Sequence, residues 1–247
     1  MTDIFKGKSL LIVEDENDLR EPLVEEFENL GCRVFEACNG ADAFEIIKKE
    51  KIDAVISDIR MPGGDGIELL KNIKSIHHAC PVVMLITGFS DLSKEDAYHL
   101  GAEAILSKPF DLDEIDLAVQ RILTAREVRW DREIVSEKLK KTFDLSFPTL
   151  SEAITSGSIN LGRGGLFVGI SQDRLCAGDF VSLHIRFGGG ELLFIEGSGV
   201  IRWVRFKDQE GLPRGCGVEF ESLHRETKEK IISLTEALNI KPFIPKA

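Results

Sequence analysis

The chain lacks any membrane segment. No run in its 247 residues reaches the ~18–20 apolar residues that a bilayer span requires. Residues 1–9 carry no apolar core of the secretory kind. Paired thiols are missing too. Cys32, Cys38, Cys80, Cys176 and Cys216 are odd in number and far apart, with no Cys-x-x-Cys pair. That excludes a zinc ribbon or a thioredoxin-type centre and points to reduced, mostly buried thiols in a cytoplasmic protein. We find no Ser/His/Asp set, no zinc-ligand spacing and no Gly-rich nucleotide-phosphate loop. Neither a helix-turn-helix pattern nor a basic recognition helix occurs, so DNA is not an expected partner.

What the chain has is enough apolar residue, 43%, for a real core, and a length that suits two ordinary domains. Its net charge of −11 is unevenly placed. Residues 1–125 hold 25 acidic and 13 basic side chains, a net of −12, whereas residues 126–247 hold 17 and 18, a net of +1. Two modules with different tasks are implied. The acidic first half would repel nucleic acid and attract a cation.

In residues 1–125 apolar runs alternate with helical periodicity. Strands are expected over 9–13, 33–37, 52–57, 81–86 and 103–106. Helices are expected after a cap at Asn17 or Asp18, running through Leu19, Leu23, Phe27 and Leu30, then over 40–50, 66–76, 93–100 and 112–123. This alternation predicts an α/β fold, a doubly wound five-stranded parallel sheet of flavodoxin-like type. Glu14, Asp15, Asp58, Thr87 and Lys108 each fall at or just past the carboxyl end of an expected strand, the edge where such sheets bind ligands. Several carboxylates converging there repel one another unless a divalent cation joins them, and hard oxygen donors suit Mg²⁺. Asp58 can then act as a carboxylate nucleophile toward a phosphoryl group. Mg²⁺ on Glu14, Asp15 and Asp58 would neutralise the transferring group, with Lys108 and Thr87 holding further phosphoryl oxygens. Taken singly, each residue has a plain explanation as a cap, loop or turn; all five at matching strand ends do not.

The runs "LLIVEDE", "DAVISDIRMPGGDGIELL", "VVMLITGFSD" and "GAEAILSKPF" carry a resemblance. The stretch from about Lys8 to Leu123 resembles the response regulator receiver family, with a CheY-like fold. The resemblance implies that Asp58 accepts phosphate from a histidine kinase. It also implies that Glu14, Asp15, Asp58 and the backbone carbonyl of Arg60 bind Mg²⁺, and that Thr87 and Lys108 couple phosphorylation to the surface around helix four and strand five. Two positions depart from the pattern. Ile105 replaces the aromatic usual three residues before the lysine, and Arg60 fills the variable position beside the nucleophile.

Residues 126–141 hold ten charged side chains in 16 and no Gly or Pro, so a charged helical connector is expected there. Val128, Val135 and Leu139 form only a weak seam, short of what a coiled coil needs. From about Thr142 Gly-rich turns separate short β-type runs, over 166–170, 180–187, 192–196, 200–206 and 217–220. They predict an antiparallel β-barrel or sandwich over 142–247, closed by a helix over 226–238. The clustered glycines of 160–167 either turn the chain tightly or face N–H groups toward an anion. With "INLGRGGLFVGI", "GSGVIRWVR" and "GCGVEFESL", this half resembles the PilZ domain family. Many PilZ members bind cyclic di-GMP through an Arg-x-x-x-Arg arm and an Asp/Asn-x-Ser-x-x-Gly motif. Here Asn160 and Gly165 match the motif, Gly162 replaces its serine, and Lys140 and Lys141 stand where the arm belongs. Lysines attract phosphate but lack the bidentate, stacking contacts of guanidinium.

These readings converge on a two-component response regulator that is not an enzyme beyond its own phosphoryl chemistry. A histidine kinase would act upstream, and a downstream protein target or cyclic di-GMP would engage the second half. A homodimer could form through the helix four, strand five and helix five face or through the connector. A different class is an interaction scaffold that is never phosphorylated and binds no nucleotide. A third is a hydrolase with an aspartyl-phosphate intermediate, but such enzymes place a second acid two residues past the nucleophile, where Arg60 stands.

Overall fold

The structure is a computed structural model that describes residues 4–77, 80–86, 92–131, 139–170, 175–190, 194–209 and 211–247. Among these the chain forms two compact units, residues 1–93 with 100–125, and residues 94–99 with 126–247.

Residues 1–125 alternate strand and helix as expected, with residues 94–99 grouped with the second unit. Strands β1 (Ser9–Val13), β2 (Arg33–Ala37), β3 (Ala54–Asp58), β4 (Val82–Ile86) and β5 (Ala104–Ser107) interleave with helices α1 (Asn17–Asn29), α2 (Gly40–Lys49), α3 (Gly66–Ile76), α4 (Lys94–Leu100) and α5 (Leu112–Leu123). All strand pairs are parallel, in the order β2-β1-β3-β4-β5. That is the flavodoxin-like order, whose switch point lies between β1 and β3. Strand β3 is buried along its whole length, as a strand covered on both faces must be. Leu10, Ile12, Ala54 and Ile56 pack with Leu23 and Phe27 of α1 and Ile115 and Val119 of α5. Helices α2, α3 and α5 are capped by the side chains of Asn39, Asp65 and Asp111. Helix α1 differs from expectation. Glu16 is its N-cap and makes no side-chain cap bond, and the Asn17 side chain accepts from Arg20.

On the flank of this unit Asp116 of α5 faces Glu26 of α1. Burial, then the charge of Glu26 and a hydrogen bond shared with it, then Asp113, push the Asp116 carboxyl up to about 6. A folded-state value above the ordinary one means this group favours folding below about pH 4. That contribution is lost as pH rises through about 6. Asp116→Asn is therefore expected to raise stability at pH 7 by a few tenths to about 1 kcal/mol and to flatten the slope between pH 4 and 6. Urea denaturation across that range measures it.

The second unit is built on a six-stranded sheet. Its strands are β6 (Leu139–Phe147), β7 (Ile159–Leu161), β8 (Gly165–Gly169), β9 (Phe180–Phe187), β10 (Phe194–Arg205) and β11 (Gly215–Leu223), with short helices α6 (Arg126–Arg129) and α7 (Leu150–Thr155) and a final helix α8 (Arg225–Ala237). The order is β6-β9-β10-β11-β8-β7. The expected all-antiparallel barrel is corrected here. Strand β6 runs parallel to β9, making the sheet mixed, with β6 and β7 at the ends of its order. The core gathers Phe143, Leu166, Val168, Leu183, Ile201 and Phe220 under Ile231 of α8.

The expected continuous helix over 126–141 is corrected too. Helix α6 covers only four residues, and Trp130, 2% exposed, turns into the core edge-on to Phe220. Asp131 bridges to Ser222, and Leu139–Lys141 already belong to β6. Burying an indole against a β-core outweighs the solvation of a charged helical rod. Residues 132–138, with Val135, lie outside the described residues. Cys32, Cys80 and Cys216 are buried, whereas Cys38 and Cys176 are exposed. No helix among the described residues is long and apolar enough to cross a membrane.

Candidate functional site at the sheet's carboxyl edge

Parallel register assembles the site. Val13 of β1 lies beside Ser57 of β3, so the next residues, Glu14 and Asp58, emerge side by side at the switch point. Asp58 is the last residue of β3 and pairs with Leu85 of β4. Ser107 of β5 pairs with Ile86, which sends Lys108 out at the same edge. Gly66 opens α3 against this backbone. A Cβ there would overlap the Asp58 carbonyl oxygen, so only glycine lets the helix start so near.

The carboxylates of Glu14, Asp15 and Asp58 each place an oxygen within 4.8 Å of the others. Glu14 is fully buried and Asp58 is 3% exposed, with Asp15 half-buried. At an effective dielectric near 20, each such pair of charges repels by roughly 3–4 kcal/mol. Lys108 relieves part of it. Its Nζ donates to Glu14 Oε2 at 2.8 Å and lies 3.4 Å from Asp58 Oδ1. Burial pushes the Glu14 carboxyl up, and the Lys108 hydrogen bond and charge only partly offset this because Asp58 adds to it. Burial alone would lower Lys108, but the hydrogen bond to Glu14 and the two carboxylate charges prevail and raise it. One lysine thus leaves an excess of negative charge.

The donors fit a hard divalent cation. They are oxygens, they converge, and Asp58 Oδ1 is buried with the Lys108 ammonium 3.4 Å away but not in well-formed hydrogen-bond geometry. Arg60 stands exposed two residues beyond Asp58. Thr87 lies outside the described residues.

Comparison with known proteins agrees with this geometry. Residues 10–120 match the family described as the response regulator receiver domain. The chain is 39% identical over 118 residues to sporulation initiation phosphotransferase F of Bacillus subtilis, covering 94% of that protein and 47% of this chain. This chain belongs to the response regulator receiver family. The receiver is also 36% identical to the transcriptional regulatory protein CrdR of Helicobacter pylori over 46% of this chain. It is 40% identical to the DNA-binding transcriptional regulator NtrC of Escherichia coli K12, again over 46% of this chain. The chain spans 54% and 24% of those two proteins' lengths. Receiver domains bind Mg²⁺ through an acidic cluster of the kind formed here by Glu14, Asp15 and Asp58.

One residue of the receiver site escaped the sequence reading. Arg20 of α1 is buried, and its Nη1 donates to the Glu14 carbonyl at 2.6 Å while its Nε pairs with Glu36 at 3.2 Å. It anchors the acidic loop from behind. Its sequence signal is weak: a basic residue three positions after Asn17 on an otherwise acidic helix start.

In the second unit the residues read as a ligand site are not gathered in the same way. Lys140 and Lys141 lie on β6 at one end of the sheet order, and Asn160 on β7 at the other. Lys140 Nζ donates to Asp179 at 2.7 Å. Asn160 Nδ2 donates to the Lys246 carbonyl at 3.0 Å, and the Gly162 N–H to Gly165 at 2.8 Å.

Proposed function

We propose that this chain is a two-component response regulator whose switch is phosphorylation of Asp58 by a histidine kinase. The observation that carries the reading is the buried acidic cluster at the β1/β3 switch point with Lys108 reaching two of its carboxylates. Asp58 attacks phosphorus with a carboxylate oxygen. The new O–P bond forms as the bond from phosphorus to the donor's imidazole nitrogen breaks, and that nitrogen departs with its electron pair and takes a proton. Glu14, Asp15, Asp58 and the Arg60 carbonyl would hold Mg²⁺, which supplies charge neutralisation for the phosphoryl oxygens. Lys108, already positioned on Asp58, pairs with a phosphoryl oxygen as a point charge, and Thr87 donates to another. The chain turns over no other substrate and catalyses only its own phosphoryl transfer and dephosphorylation.

The second unit serves as a PilZ-like output module that binds a protein partner. Six strands closed by α8, and the Asn160–Gly165 match, support this. Cyclic di-GMP has less support as its ligand, because Lys140 is paired to Asp179 and Asn160 is bonded within the chain. An unphosphorylated scaffold is disfavoured by the cluster itself, which a purely structural domain has no reason to bury.

Incubation with acetyl phosphate and Mg²⁺, followed by intact mass, tests the switch. One phosphate should be gained, and none in Asp58→Ala. A chain that gains none, or gains it equally in Asp58→Ala, would overturn the proposal.

A further inference from the structure

The segment that follows α8 lies in the loop the sequence marks as a ligand loop. The N–H groups of Arg163 and Gly164 donate to the carbonyls of Pro242 and Phe243, each at 2.9 Å. Arg163 Nε donates to the Lys241 carbonyl at 3.2 Å, and Asn160 Nδ2 to that of Lys246 at 3.0 Å. The Phe243 ring, 1% exposed, fills the space left where Gly164 has no side chain; a Cβ there would overlap the ring. A Cβ at Gly162 would likewise overlap the Phe243 carbonyl oxygen and the Pro245 ring. Loop 160–165 therefore holds this peptide through its backbone and one aromatic anchor, the pattern of main-chain recognition.

The same peptide turns its other hydrogen-bonding groups to helix α4, whose residues 94–99 belong to this second unit. The Phe243 N–H donates to the Tyr98 carbonyl at 3.0 Å, and the two rings stack at 6.3 Å. The Lys246 N–H donates to His99 Nδ1 at 3.1 Å, and Lys246 Nζ pairs with Asp96. Burial and the charge of Lys246, against Asp96 and Glu95, hold His99 below its usual range. Carbonyls thus face the loop while N–H groups face the helix.

We propose that residues 241–246 are a built-in peptide ligand of loop 160–165 and a clip joining that loop to α4, so that freeing α4 opens the loop. The inference rests on these contacts and stands whether or not Asp58 is phosphorylated. Under the function proposed above, the opened loop takes a partner peptide of the same kind, one that presents an aromatic residue and main-chain carbonyls.

Amide hydrogen exchange on the full chain, resolved by residue, tests the clip. The double substitution Asp96→Ala with His99→Ala removes side-chain anchors on α4 only. It is expected to speed exchange at Arg163 and Gly164 at least tenfold. Phe243→Ala should do the same, and an excess of a synthetic peptide of residues 239–247 should then restore slow exchange at both amides. If the α4 substitutions leave Arg163 and Gly164 at their original rates, α4 and the loop are not coupled. If the peptide gives no protection, the loop is not a peptide site. The α4 double variant alters partly exposed side chains, so the test survives even if Phe243→Ala fails to fold.

Discussion

Lys108→Ala is expected to slow phosphorylation of the chain by about 10²–10³-fold, the usual cost of losing one aligned charge-stabilising group in a transition state. The same substitution should have a second effect of opposite dependence on magnesium. With chelator present, it leaves the fully buried Glu14 and the nearly buried Asp58 facing each other without a cation. Removing one partner of a buried pair costs about 3–5 kcal/mol, and the partial exposure of Lys108 places this case at the low end. With Mg²⁺ present most of that loss should vanish, because the ion takes over the lysine's charge, and the apparent Mg²⁺ affinity should rise as a competing cation has gone. Stopped-flow phosphorylation with a small-molecule donor and urea denaturation with and without chelator separate the two effects. A uniform loss of stability in both conditions would mean that Lys108 acts on the fold and not on the charge balance of the site.

The second large effect is the linkage between magnesium and folding. An ion bound only by the folded cluster stabilises it by about 2.7 kcal/mol at one hundred times its dissociation constant. Asp15 is the cluster member whose loss should disturb the fold least, being half-buried while Glu14 and Asp58 are enclosed. Asp15→Ala should therefore unfold much like the original chain in chelator and lose most of the magnesium-dependent gain. Calorimetry of Mg²⁺ binding and a melting curve at several Mg²⁺ concentrations measure it. An undiminished gain in Asp15→Ala would place the ion elsewhere.

The first half of the chain was legible because its strands are short, continuous apolar runs with the chemistry at their ends. Runs such as Ser9–Val13 announce themselves by composition, and parallel topology then carries Glu14, Asp58 and Lys108 to one edge. Details that depend on one side chain's choice of partner were less visible. Asn17 could have capped α1 but accepts from Arg20, whose own hold on the Glu14 carbonyl is a contact between a helix and a loop.

In the second half, β6 was hidden by charge. Its residues alternate in burial, but lysines and an aspartate between Leu139, Phe143 and Leu145 imitate a solvated helix face. Strand β10 read as two pieces because Gly197 and Gly199 interrupt it, whereas a register shift beside Ser198 and Gly199 lets one strand continue through them. The parallel pairing of β6 with β9 has no local signature at all. The glycines of 160–165 read from the sequence as a tight turn or an anion-facing loop. Their occupant, a ring some eighty positions later in the chain, is fixed by tertiary packing that no local pattern encodes.

Phosphoryl transfer to Asp58 would leave an acyl phosphate on that residue. Borohydride reduces such a carboxyl to an alcohol and spares free carboxylates, so the phosphorylated chain should yield, after peptide mapping by mass spectrometry, homoserine in place of Asp58 and at no other aspartate, only when Mg²⁺ was present. Reduction at a different residue, or none in a chain that has gained phosphate, would contradict the account.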